Sequence, residues 1–361
     1  MLSHLGFRSE VARLIAAVAE VLGTHPGRDA APAGGAGQVT APTQAPTHVV
    51  DAYQRGDFVT VVEAIEAARP GDRVLVRPGL YEGGLVVDKP LEILGDGPVA
   101  DIEIRARDAD ALLFKASIGR VANLTLRQAG GKGNWYGVNI TQGRLDLEGC
   151  DISSQSGPGV GIHDGADPRL RRNQIHDGKS AGVFVHDDGR GTLEDNDISG
   201  NTRAGVAITT GGDPTVRRNH IHGGKDCGVF VYDNGRGTLE DNDIGGNALA
   251  GVEIKSGGDP TLRRNQIHDG EDCGVYVLGD GRGALEDNDI RGNAGAGVEI
   301  KTGGDPTLHR NKINRNRYQA VWIHDDGRGT LEDNDLTGNA RGAWSIAKDC
   351  QDHVTRARNK E

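Results

Sequence analysis

The side chains best suited to chemistry in this chain fall at two recurring positions of a short apolar phrase, Gly-Val-x-Val/Ile. The third residue and the one two places on read Phe184/His186, Ala207/Thr209, Phe230/Tyr232, Glu253/Lys255, Tyr276/Leu278, Glu299/Lys301, Trp322/His324 and Ser345/Ala347. Glu253, Lys255, Glu299, Lys301, His186 and His324 supply acids, bases and cations, the components of general acid–base catalysis on an anionic substrate. Phe184, Phe230, Tyr232, Tyr276 and Trp322 supply flat apolar faces, and large aromatics held at a surface usually mark binding. The two Glu/Lys pairs are copies of one another and can pair internally, whereas a catalytic centre calls for a cluster that is not repeated. Binding is therefore the preferred chemistry of this face, and catalysis the alternative.

A repeat places these positions. Asp167-Pro168, Asp213-Pro214, Asp259-Pro260 and Asp305-Pro306 recur every 46 residues, and Asn173, Asn196, Asn219, Asn242, Asn265, Asn288, Asn311 and Asn334 every 23. Leu170 to Leu331, Ile175 to Leu336 and Val183 to Val321 form three apolar columns in the same register. The period is too short for a helix pair, and its apolar alternation is that of strands. Each unit reads as one coil of a parallel solenoid, stacked on its neighbours at roughly 4.8 Å. Strand alternation then turns both chemistry-bearing columns outward, side by side on one sheet, with aromatic rings about 10 Å apart on alternate coils. The asparagine column sits at a buried corner, where stacked amides can bond to one another and to turn backbone.

The sequence Leu-x-x-Asn-x-Ile, followed by Gly-Val-x-Ile/Val and Gly-x-Pro, resembles the right-handed parallel β-helix repeats of pectin-lyase-like proteins. It is more similar still to the non-enzymatic β-helix of F-box substrate receptors and related bacterial proteins, through Gly-Thr-Leu-Glu-Asp-Asn-Asp-Ile (191–198) and Asn-Lys-Ile-Asn (311–314). The resemblance covers about residues 48–350 and implies an all-β fold, a right-handed parallel β-helix of 23-residue coils. Polysaccharide lyases of this fold use a basic residue to abstract a proton beside a uronate carboxylate neutralised by calcium or another cation. The opening stretches, Asp72 to Tyr81 and Leu85 to Gly95, resemble those of pectinesterases. The paired aspartates with glutamine and arginine of those esterases are missing, so esterase chemistry is not carried over.

Composition narrows the partners. A net charge of −11 over 361 residues argues against wrapping a nucleic-acid backbone. Cys150, Cys227, Cys273 and Cys350 show no metal-ligand spacing. Cys227 and Cys273 stand two coils apart, too far for a disulfide, so they read as small core residues of a chain in a reducing compartment, the cytoplasm. Residues 1–23 carry Val11, Leu14, Ile15, Val18, Val21 and Leu22 on one helical face. They read as an amphipathic helix suited to packing on a partner helix, as in self-association, or on the body of the solenoid, since the apolar run 14–19 is too short for a signal peptide and Glu20 breaks it.

Residues 24–47 read as a flexible linker, 58–69 as a helix stopped by Pro70-Gly71 that caps the N-terminal end, 48–350 as the β-helix and 351–361 as a charged tail. Strands are expected near 102–104, 112–114, 121–126, 138–140 and 145–147. No segment is long and apolar enough to span a membrane. Arg171-Arg172, Arg217-Arg218 and Arg263-Arg264 alternate by coil with Glu194-Asp195, Glu240-Asp241, Glu286-Asp287 and Glu332-Asp333, a cross-strand charge ladder that makes the repeat 46 rather than 23. The acidic corners Asp187-Asp188, Asp233-Asn234, Asp280 and Asp325-Asp326 read as turns, with calcium a minor possibility. His176, His222 and His268 read as separate surface residues, and no metal or other cofactor is assigned. The sequence thus points to a non-catalytic recognition scaffold binding a protein or a polysaccharide. The alternative is a polyuronate lyase or epimerase working on the same face.

Overall fold

The computed structural model describes residues 45–361. The amphipathic helix expected at 1–23, and most of the linker at 24–47, lie outside the described residues. The rest is a parallel solenoid of about 14 turns, built as three sheets of 14, 12 and 11 strands. The columns seen in the sequence are the hydrogen-bonded registers: Leu170 pairs with Leu193 and then Val216, Ile175 with Ile198 and Ile221, and Val183 with Val206 and Val229. The leucine column belongs to the 14-stranded sheet, the isoleucine column to the 11-stranded sheet and the valine column to the 12-stranded sheet. All three point inward and are buried, in one continuous core running from Val50 to Cys350. Burying each such side chain stabilises by about 1.5–3 kcal/mol. Only stacking delivers it, because a coil of three-residue strands has no interior of its own.

The corner between the leucine and isoleucine strands carries the asparagines. Asn196 shows the pattern. Its backbone N–H and its Nδ2 both donate to Asn219 Oδ1, at 3.0 and 2.9 Å, and Nδ2 also donates to the Leu170 carbonyl at 3.0 Å. The ladder runs from Asn173 to Asn334, every member buried, and ends on Asn359. Cys150 starts it, its N–H donating to Asn173 Oδ1. A second ladder at the next corner was not read from the sequence. Asn201, Asn247, Asn293 and Asn316 accept from backbone N–H groups one coil earlier and donate to the Ile175, Ile221, Ile267 and Ile290 carbonyls.

Both ends depart from the sequence boundaries. The first strand, Thr47–Val50, starts inside the presumed linker. Helix α1, Val61–Ala67, is shorter than expected, because Thr60 and Glu63 form a capping box at its start and the chain turns extended at Ala68. Its Val61, Ala64 and Ile65 are buried, and it packs on the strands Thr47–Val50, Arg73–Val76 and Leu85–Val87. The stretch 121–126, expected as one strand, is two, Ile118–Ala122 and Thr125–Gln128, separated by the left-handed corner residue Asn123. Part of the presumed tail is a strand: Val354–Ala357 pairs with Gly329–Glu332 as the last member of the 14-stranded sheet.

The charge ladder forms largely as the alternation implies. Glu194 lies between Arg169 at 2.8 Å and Arg217 at 3.1 Å, and also meets Arg218. Arg264 bonds Asp241, Arg310 bonds Asp287, and Arg358 bonds Asp333. Burial raises the Glu194 carboxyl's pKa, but the guanidiniums of Arg169 and Arg217 outweigh it and hold it down at about 2. The acidic corners are turns: Asp187, Asp188, Asp233, Asn234, Asp280, Asp325 and Asp326 all have left-handed backbone, which short polar side chains tolerate.

Two predictions follow from this architecture. Asn242→Ala strips the acceptor from Asn219 and the donor from the Val216 carbonyl inside the core, so the unfolding free energy should fall by about 3 kcal/mol or more in urea titration. A loss under about 0.5 kcal/mol would show that the ladder is ornament. Glu194 has a folded pKa below its unfolded value near 4.3, so its contribution is complete above that value and lost as pH falls toward 2. Melting temperature should therefore drop between about pH 4 and pH 2, and Glu194→Gln should flatten that slope.

Candidate functional site

The outer face of the 12-stranded sheet carries the chemistry-bearing columns in register: Phe184 against Ala207, Ala207 against Phe230, Phe230 against Glu253, Glu253 against Tyr276, Tyr276 against Glu299 and Glu299 against Trp322. The aromatics are half-buried rather than exposed, and on three of the strands the two outward side chains stack on one another. Phe184 lies on His186 at 4.3 Å, Phe230 on Tyr232 at 4.4 Å and Trp322 on His324 at 4.3 Å between ring centres. The result is three rigid two-ring platforms, with Tyr276, two strands on from Phe230 and two short of Trp322, as a single ring between the second and the third.

The gaps between platforms differ. In the Phe230–Tyr276 gap, Lys255 reaches back over the Phe230 ring at 4.6 Å and pairs with Glu253 at 3.4 Å. In the Tyr276–Trp322 gap, Lys301 lies over Tyr276 at 5.1 Å and 4.0 Å from Glu299. Both gaps are filled by a cation held on a ring face. The Phe184–Phe230 gap has Ala207 and Thr209 at the same two positions, and it is open. Ala181, Ala204 and Ala207 form its floor between the two phenylalanines, and Arg203, Asp226 and Tyr232 line its rim around a hollow of about 300 Å³.

Of the acid–base candidates, Glu253 and Glu299 each accept from a buried thiol, Cys227 at 3.2 Å and Cys273 at 3.1 Å, as well as facing their lysines. His324 has both ring nitrogens engaged, by Asp325 at 2.9 Å and Glu299 at 3.2 Å. The Tyr276 hydroxyl beside Lys301 holds its ammonium above the ordinary lysine range, and burial pushes the Tyr276 and Tyr232 hydroxyls up. None of these three is set to release a proton near neutrality. His186 differs. Its Nδ1 meets Asp187 at 2.8 Å, while its Nε2 is buried without a hydrogen-bond partner among the described residues.

Sequence reasoning missed the neighbours of His186. His163 stacks on it at 4.8 Å, and His163 Nε2 bonds Asn139 Oδ1 at 2.8 Å, whose Nδ2 donates to Asp110 at 2.9 Å. Tyr136 lies over Gly161, where a Cβ would meet its ring at 2.5 Å. These residues come from the irregular early coils, where no column announces them. The signal for the open slot was in the sequence, as the Ala207/Thr209 departure from Glu/Lys.

All four cysteines are buried and free. Burial pushes the Cys150 thiol up to about 12 and raises those of Cys227 and Cys273, with Glu253 and Glu299 adding to it. At pH 8 the folded protein should therefore show no fast-reacting thiol toward a chromogenic disulfide reagent, and all four only in denaturant. Rapid reaction of one or more in the folded state would contradict this packing.

Comparison with known proteins agrees with the architecture. The family model described as "right handed beta helix region" matches residues 112–248 and 204–359. The F-box protein SKIP5 of Arabidopsis thaliana is 33% identical over 114 residues, 30% of this chain and 40% of that protein, so the match spans well under half of that relative's length. Among solved structures, the A-module of the mannuronan C-5 epimerase AlgE6 of Azotobacter vinelandii is similar with a TM-score of 0.71 at 20% identity, covering 83% of this chain and 92% of that one. The periplasmic alginate epimerase AlgG is similar with a TM-score of 0.60 at 14% identity, covering 84% of this chain and 82% of that one. At these identities the structural likeness speaks for the fold alone. With the family model spanning well over half of its length, the chain belongs to the right-handed β-helix family.

Proposed function

We propose that this protein is a non-catalytic recognition scaffold that binds a polysaccharide along the outer face of its 12-stranded sheet, with one sugar ring seated in the slot between Phe184 and Phe230. The observation that carries this reading is the slot itself. It is the gap whose floor is alanine while the next two along the sheet are closed by lysine, and it is walled by aromatic faces of the kind that take the apolar side of a sugar. Arg203 and Asp226 at the rim suit a carboxylate or hydroxyls. Two proteins of similar fold are named for epimerisation of mannuronan and alginate, which supports a sugar polymer as the ligand class. The F-box relative supports the competing class, a protein partner, without pointing to this slot.

A second reading rests on His186. With Nδ1 held by Asp187 its neutral form offers Nε2 as an acceptor, the arrangement of an oriented general base, at the edge of the same aromatic platform. An epimerase or lyase would use it to remove the proton beside a uronate carboxylate, once a shift of the stacked rings uncovers Nε2 to the substrate.

The test is to incubate the protein, with and without calcium, with acidic and neutral polysaccharides, following bound and altered sugar by mass spectrometry. We expect unaltered bound chains. The double substitution Ala207→Glu with Thr209→Lys writes the neighbouring coils' own residues into the slot and should weaken binding at least about ten-fold without lowering thermal stability. Phe230→Ala should weaken it several-fold, in line with about 0.5–1.5 kcal/mol for a ring contact. Chains altered by the protein, and left unaltered by His186→Gln, would replace the scaffold reading with the enzyme. No binding to any polysaccharide would leave a protein partner.

A further inference from the structure

On a different sheet, the 11-stranded one, one coil breaks the repeat in a way that gathers metal ligands. The strand and its following corner read Gln174-Ile-His-Asp177 and Gln266-Ile-His-Asp269 in two odd coils, but His220-Ile-His-Gly223 in the coil between them. His176 and His268 are each held from both sides. The Nε2 of His176 meets Asp151 at 2.7 Å and its Nδ1 meets Asp177 at 2.9 Å, and His268 bonds Asp243 and Asp269 likewise at 2.7 and 2.8 Å. At His222 the corner carboxylate is replaced by Gly223, and an imidazole stands where the other coils have glutamine. Asp197, one coil earlier, faces both rings: its Oδ2 is 3.6 Å from His220 Nδ1 and its Oδ1 3.2 Å from His222 Nε2.

We propose that Asp197, His220 and His222 form a binding site for a divalent transition-metal ion, zinc being the best match. Their three ligand atoms lie within 4.8 Å of one another. In a tetrahedral zinc site with bonds near 2.0–2.1 Å, ligand atoms sit about 3.3 Å apart, so Asp197 Oδ1 and His222 Nε2 at 3.2 Å already span a coordination edge, while His220 Nδ1 faces the other oxygen of the same carboxylate at 3.6 Å. Two imidazoles and a carboxylate are a donor set that zinc favours over calcium or magnesium.

The two rings stack at 3.8 Å with 18° between planes. Both are about half to a third exposed, so an ion has an open path from solvent. Asp243 stands opposite His220 on the following coil and adds negative charge, its own oxygen being held by His268. Three protein ligands leave a position for water or for a donor brought by a partner.

The full chain, stripped with chelator and dialysed, is titrated with zinc by calorimetry and with cobalt by visible absorption. We expect at least one ion per chain with micromolar or tighter affinity, and with cobalt an intense tetrahedral band. His220→Gln installs the residue that the repeat itself uses at 174 and 266, so the fold is retained, as an unchanged melting curve checks. It should remove one equivalent of ion or weaken that equivalent at least about 100-fold, more than the ten- to 100-fold loss usual for groups outside the coordination sphere. Asp197→Asn should weaken it too, and His268→Gln should leave the count unchanged. Absence of binding to the intact chain, or full stoichiometry and affinity in His220→Gln, overturns the proposal.

Discussion

Everything in this protein depends on one constraint: the polar groups of a coil are satisfied mainly by the coils above and below it. A three-residue strand has no partner within its own turn, so backbone hydrogen bonds run between equivalent residues one period apart. The corners, where strands stop, would leave buried N–H and carbonyl groups orphaned. The asparagine amide fits that gap because it offers an acceptor to one neighbour and donors to the other two. An aspartate there would lack the donors, and a leucine would lack both.

This constraint divides the chain into residues that cannot vary and residues that can. The inward columns and the ladders repeat because each is locked to its copies. The outward columns meet only their immediate neighbours, so a substitution there changes the surface without disturbing the stack. Both sites discussed above arise in that freedom. Ala207 and Thr209 open one slot where Glu and Lys close the next two, and His220 with Gly223 releases an imidazole that two carboxylates hold in sister coils. In a repeat protein, the departures from the repeat carry the specificity.

How far the sequence could be read follows the same division. The leucine, isoleucine, valine and asparagine columns were legible because identical residues stacked in register leave an identical spacing. The outward placement of Phe184 through Trp322 was legible from strand alternation. The half-burial of those rings was not, since it comes from side chains two apart folding onto each other, and the column picture treats them as independent. The second ladder was hidden because it is interrupted: Asn201, Asn247 and Asn293 alternate with Gly178, Gly224 and Gly270. His163, Tyr136 and Asn139 lie in coils whose lengths vary, so nothing in their spacing marks them as neighbours of His186. The strand at 354–357 follows a six-residue 3₁₀ segment, which throws it out of the 23-residue register.

The asparagine ladder also has a direction. Each asparagine gives its backbone N–H and one amide proton to the oxygen of the next asparagine toward the C-terminus, never the reverse. During synthesis, then, the newest complete coil always presents donors that the ribosome has not yet supplied with an acceptor. Each further 23 residues satisfies them and exposes an equivalent pair. Folding that follows translation is thus vectorial, like adding links to a chain that stays open at one end. Asn359 accepts from Asn334 as the last member of the ladder among the described residues.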